Sequence, residues 1–307
     1  MNRRVPPETL GAAAPQAAAG APPAALVTPS YAADFERCRL LCRSVDRHVS
    51  GATTHYLLVA GHDVARFRAL EGPNRVVVDE RDLLPAWLHC VPDPSDLFRR
   101  RIWVSRRTMP LRGWHVQQLR RLAVAEALDE PTLVYLDSDV VFLKPFDCAR
   151  FWRDGALRLY RRDGALPQSG EHPAWARSAG RLLGLPADRT TTHDYIATLI
   201  AWRRDAVLAM LRHIEARAGR HWVAAVASTR RYSECMIYGR YVDEVRGGEG
   251  HFPDPDGFCR VYWSGPALSG EGIRAFAAGM APGQVAVGIQ SFVGSDLAAI
   301  ERLVAES

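Results

Sequence analysis

Lysine is almost missing from this sequence: of its 39 basic residues only Lys144 is a lysine, and the rest are arginines. The formal charge of +5 and a pI near 9.0 suit an anionic ligand or a nucleic acid. Arginine in place of lysine throughout, however, reads as a compositional bias more than as a polybasic surface. The basic stretches also lack interleaved aromatics, apart from "RRRIW" at 99 to 103, so nucleic acid is not the expected partner. No run approaches the roughly 20 apolar residues of a membrane-spanning helix, which leaves peripheral contact as the expected limit of membrane association. The six cysteines (Cys38, Cys42, Cys90, Cys148, Cys235, Cys259) show neither a CxxC pair nor zinc-type spacing, so a reducing, cytoplasmic setting is expected. Large apolar residues are scarce near the start as well. There two arginines are followed by alanines and repeated prolines, which argues against a signal-peptide core. Residues 1–23 therefore read as a disordered Ala/Pro-rich tail.

The 307 residues suffice for one large core. "AALVTP" (24–29), "HYLLVA" (55–60) and "NRVVVDE" (74–80) read as strands, separated by the amphipathic helix "DFERCRLLCRSVDRHV" and the short helix "HDVARFRAL". That alternation predicts an α/β fold with a mostly parallel, Rossmann-like sheet flanked by helices. Residues 81–113, rich in Pro and Arg, read as an irregular connection with a short helix near "DPSDLFRRR". The helix "GWHVQQLRRLAVAEALDE" follows, with Val116, Leu119, Ala123 and Ala127 on one face and Gln118 and Arg121 on the other. Later strands are expected at "ALRLYRR", before Arg204, and in "RVYWS" and "GQVAVGIQSF". Helices are expected in "HPAWARSAGRLLGL", from 204 to 216, in "SECMIYGRYVDEV" and in "DLAAIERLVAE". One domain over 24–307 is expected, with a nucleotide-binding half (24–147) and an acceptor-side half (148–307).

The most informative stretch is "PTLVYLDSDVVFLKP" (131–145). Asp137 and Asp139 interrupt an apolar run at the end of a strand, and alternation along the chain puts both on one side. Two carboxylates in apolar surroundings cost several kcal/mol unless a cation compensates them. A divalent metal is the natural compensator, completing its shell with phosphate oxygens and water. Two enzyme classes carry such a pair at a strand end. A phosphatase with a nucleophilic aspartate matches the wording "LVYLDSDV", but it needs its motif on the first strand and a lysine well downstream. Here three strands come first, and no lysine follows Lys144.

The other class is the sugar transferases. The segments "VTPSYAADFERCRLLCRSVDRH", "GWHVQQLRRLA" and "LVYLDSDVVFLKPFD", with "SECMIYGRYV" and "VAVGIQSF" later, resemble a bacterial family of uncharacterised Asp-x-Asp proteins. That family is grouped by fold with the glycosyltransferase-A, nucleotide-sugar-dependent enzymes. The resemblance implies a glycosyltransferase-A-like domain taking a sugar from a nucleoside-diphosphate sugar donor to a hydroxyl acceptor, with Mn²⁺ or Mg²⁺, as in surface polysaccharide or glycan synthesis. It implies that Thr28 and Tyr31 meet the donor's base and ribose, and that Gln118 and Arg121 lie near the diphosphate. Asp137 and Asp139 become ribose and metal carboxylates, and Glu234 a general base. Asp194 in "THDYI" is a second candidate base. The fold's late metal-binding histidine would fall to His251, whose surroundings match no motif, or its place to Gln290 and Ser291. The arginines at 99–101, 106 and 107 could meet a pyrophosphate or a lipid phosphate.

Overall fold

The computed structural model describes residues 21–307; the segment 1–20, which holds most of the expected tail, lies outside the described residues. Its centre is a five-stranded sheet of β1 (Ala24–Pro29), β2 (Ala52–Val59), β3 (Arg75–Asp79), β4 (Thr132–Leu136) and β5 (Leu199–Arg203), ordered β5-β4-β1-β2-β3. The first four run parallel, and β5 is antiparallel to β4. The fold is thus α/β with a mainly parallel central sheet, as expected. β1 and β4 are buried along their whole length, which explains why both read as unbroken apolar runs without alternation.

The chain order reverses between β1 and β4. β2 and β3 build outward on one side of β1, while β4 returns to the other. Such a switch point opens a crevice at the carboxyl ends of the two strands, and ligands of open α/β sheets bind there. Helix α1 (Phe35–His48) follows β1 and buries Cys38, Leu40, Leu41, Cys42 and Val45. A second sheet is formed by Cys259–Tyr262, Ala286–Ile289 and Val140–Phe142, the last continuing directly from β4 through the aspartates. Strands from beyond residue 148 therefore complete sheets begun before it.

One local expectation is corrected. Residues 81–113 are not simply irregular: His89–Pro92 and Arg101–Val104 pair as an antiparallel hairpin, and "DPSDLFRR" forms its loop with only a single 3₁₀ turn. Four-residue strands beside prolines carry too little alternation to be read in advance. Helix α2 (Gly113–Ala127) buries Gln118 and Arg121 as well as its apolar face, because α5 (Glu234–Arg240) packs over them; α3 (His172–Leu183) and α4 (Arg204–Ala218) complete that layer. All six cysteines are free. Among the described residues no helix is long and apolar enough to cross a membrane.

Candidate functional site

Asp137 and Asp139 emerge at the carboxyl end of β4, at the switch point. Arg121, from α2, donates to Asp137 Oδ1 and, at 2.9 Å, to Glu234 Oε1. Its backbone carbonyl accepts from the Tyr135 hydroxyl at 2.8 Å, which ties α2 to β4. Although burial works against its charge, Asp137 and Glu234 hold the guanidinium above its ordinary pKa. Gln118, one turn earlier, accepts from the Glu234 backbone N–H at 3.1 Å, while its Nε2 is buried without a partner. Ser233 caps α5 by accepting from Met236 N–H. These bonds place Glu234 beneath Arg121, where burial raises its carboxyl pKa and Arg121 opposes the shift.

Asp139 is differently situated. Its Oδ2 accepts from Ser291 N–H at 3.1 Å, but its Oδ1 is buried with no hydrogen-bond partner. Burial, then the nearby charges of Asp137 and Asp34, push this carboxyl up to about 7. Asp34 is the first residue of the segment "DFERCRLLCRSVDRHV", which reads as an amphipathic helix. It is buried at the mouth of α1 and accepts from Ser138 Oγ at 3.3 Å. Asp137 and Asp34 thus both bear electrostatically on Asp139, with Arg37 as a further cation nearby. The signal for Asp34 was present in the sequence, as an acid five residues beyond a strand end, but a helix start explained it equally well.

Tyr31 stands 43% exposed beyond β1, its phenol raised by burial and by Asp34. Thr28 is corrected: it is fully buried and its hydroxyl is bonded to His55 Nε2 at 2.9 Å, so it offers no surface to a ligand. His251 is also corrected as a metal ligand. Its Nδ1 meets the Glu249 carbonyl at 2.8 Å and its Nε2 meets the Tyr238 hydroxyl at 2.8 Å, so neither nitrogen is free. Because a carbonyl only accepts, Nδ1 carries the proton and Nε2 receives the tyrosine's.

Asp194 lines a cavity of about 610 Å³ with Tyr160, Arg162, His172, Thr198 and Cys259. One carboxylate oxygen accepts from Ile196 N–H at 3.0 Å, and burial raises its pKa. This cavity adjoins the acidic cluster. Thr198 immediately precedes Leu199, the partner of Leu136 in the sheet. Burial, with added charge from Asp139 and Asp137, pushes the Cys259 thiol up to about 12.

Among the described residues no three His, Cys, Asp or Glu side chains are gathered as a ready metal cage. The donor set instead fits a cation held by two carboxylates and completed by a ligand's oxygens, with the orphaned Oδ1 of Asp139 as its clearest sign.

The chain belongs to DUF6492, a family of unknown function whose model matches residues 23–280. No curated protein matches the chain.

Proposed function

Within that family, we propose that this chain is a metal-dependent glycosyltransferase with a glycosyltransferase-A-like domain, moving a sugar from a nucleoside-diphosphate sugar to a hydroxyl acceptor. The observation that carries this reading is the buried, unpartnered Oδ1 of Asp139, set among Asp137 and Asp34 at the switch point of the sheet. A buried lone acceptor beside like charges is costly, and a cation relieves it.

In this reading Asp139 and Asp137 would hold Mn²⁺ or Mg²⁺, which supplies charge neutralisation to the departing diphosphate. Arg121 keeps Asp137 turned toward the crevice. Glu234 keeps Arg121 in place through its Oε1. The half-exposed ring of Tyr31 offers a stacking surface for the donor's base or ribose. Asp194 is the better-placed base of the two candidates, since it faces the adjoining cavity, whereas Glu234 is turned to Arg121. The acceptor hydroxyl would give its proton to Asp194 as its oxygen bonds to the sugar, and the sugar–phosphate bond would break toward the diphosphate.

Thermal melting with Mn²⁺ plus UDP or GDP tests the reading. A rise in melting temperature that disappears in Asp139→Ala is expected. No shift with any nucleoside diphosphate would remove the proposal. Hydrolysis of a simple phosphate ester, lost in Asp137→Asn, would put the nucleophilic-aspartate phosphatase in its place.

A further inference from the structure

The loop of the hairpin formed by His89–Pro92 and Arg101–Val104 displays two large apolar side chains. Leu97 is 76% exposed and Phe98 is 68% exposed. Both have left-handed backbones, with φ of 49° and 63°, a conformation that side-chain-bearing residues avoid. The loop is nevertheless well tied. Phe98 N–H donates to the Asp93 carbonyl at 2.9 Å, Arg99 N–H to that of Asp96 at 3.0 Å, and Asp93 N–H to that of Arg100 at 2.8 Å. The Asp93 carboxylate also accepts from the backbone N–H and the hydroxyl of Ser95. The hydrogen-bonded backbone holds the two side chains outward when collapse onto the protein would bury them.

Three exposed arginines, Arg99, Arg100 and Arg101, follow directly. Arg100 contacts Asp96 at 3.3 Å, and the other two have no acidic partner among the described residues. Arg100 also lies close enough to Tyr31 for its charge to favour the ionised phenol, which puts this loop on the rim of the crevice. Phe292, 75% exposed, directly follows Ser291, whose backbone N–H bonds Asp139 in the crevice.

We propose that this loop docks the protein on an anionic membrane surface, with Leu97 and Phe98 entering the headgroup–acyl boundary and Arg99–Arg101 meeting lipid phosphates. A projecting apolar pair with cations at its base matches the layering of a bilayer surface, where an apolar interior lies beneath a sheet of negative charge. It needs no complementary pocket, which a protein partner would have to provide. Docking in this way would turn the crevice mouth toward the lipid. The inference stands apart from the transferase reading, because it is read by partitioning and not by turnover.

Co-sedimentation of the full chain with phosphatidylcholine vesicles, with and without phosphatidylglycerol, tests it. Binding to the anionic vesicles is expected, weakening at high salt. Changing Arg99, Arg100 and Arg101 singly to Gln should cost about fivefold each in partition. The double variant Leu97→Ser, Phe98→Ser should lose on the order of a hundredfold. These are surface changes, and an unaltered melting temperature checks that the variants fold. Failure to bind anionic vesicles, or equal binding by the double serine variant, would overturn the proposal. Docking to a protein or an RNA instead would appear as the first of these results.

Discussion

Arg120 and Arg121 are neighbours on one helix and both are buried, yet their surroundings are opposites. Arg120 meets one carboxylate, Glu80, which receives two of its nitrogens on one oxygen and Trp103 Nε1, at 3.0 Å, on the other. The remaining guanidinium nitrogen reaches the carbonyls of Ser30 and Leu58. One cation faces one anion, and their polar atoms are satisfied. Arg121 faces two carboxylates, Asp137 and Glu234, with Asp139 and Asp34 close behind and one carboxylate oxygen left bare. A balanced buried network holds a fold together, whereas an unbalanced one has room for something the chain does not itself supply.

The largest expected effect breaks the balanced side. Glu80→Ala strands the Arg120 charge and should cost about 3–5 kcal/mol in chemical denaturation, while Arg120→Met combined with Glu80→Leu should recover most of it. A loss below roughly 1 kcal/mol in the single variant would show that water already serves this pair.

Two buried groups, one outside both networks and one in the unbalanced one, should also respond to pH with opposite signs. His55, enclosed between Thr28 and Arg75, is held down to about 3 by burial and by the Arg75 charge. Its stabilisation is complete above the ordinary histidine pKa near 6.5 and is lost as pH falls toward 3. At pH 5 the loss should reach about 2 kcal/mol. Asp139 runs the other way. With its carboxyl raised from 3.8 to about 7, metal-free stability should fall as pH rises through that window and level off above it. Asp139→Asn should therefore raise metal-free stability at pH 8 by about 1–2 kcal/mol, even as it removes any gain from Mn²⁺ and nucleotide. Denaturation curves across pH read both signs; destabilisation by Asp139→Asn would contradict the under-compensated site. The smallest effect, about 1 kcal/mol, is expected of Trp103→Phe, which leaves Glu80 one donor short.

Much of this comparison was legible only in part. Strands β1, β3 and β4, helix α1 and the placing of Asp137 and Asp139 at a strand end followed from apolar runs and helical spacing, because burial imposes those patterns directly. Arg120 and Glu80 passed unnoticed: forty residues separate them, and nothing local marks a charge as buried. Helical spacing put Gln118 and Arg121 opposite the apolar face, and only the packing of α5 shows that this side is buried too. His251 and Thr28 are plausible ligand types whose polar atoms are already spent on Glu249, Tyr238 and His55.

The sequence by itself determined the α/β class, the mainly parallel sheet and the position of an acidic pair where such sheets bind ligands, since each depends on local periodicity and chain order. Only the tertiary structure decided which charges are answered. It brought Glu234 from 113 residues away to Arg121 and Asp34 from 104 residues away to Ser138, and it left one oxygen of Asp139 without a partner. Charge compensation in a buried site is a property of what packs around it, and no single segment of chain carries that information.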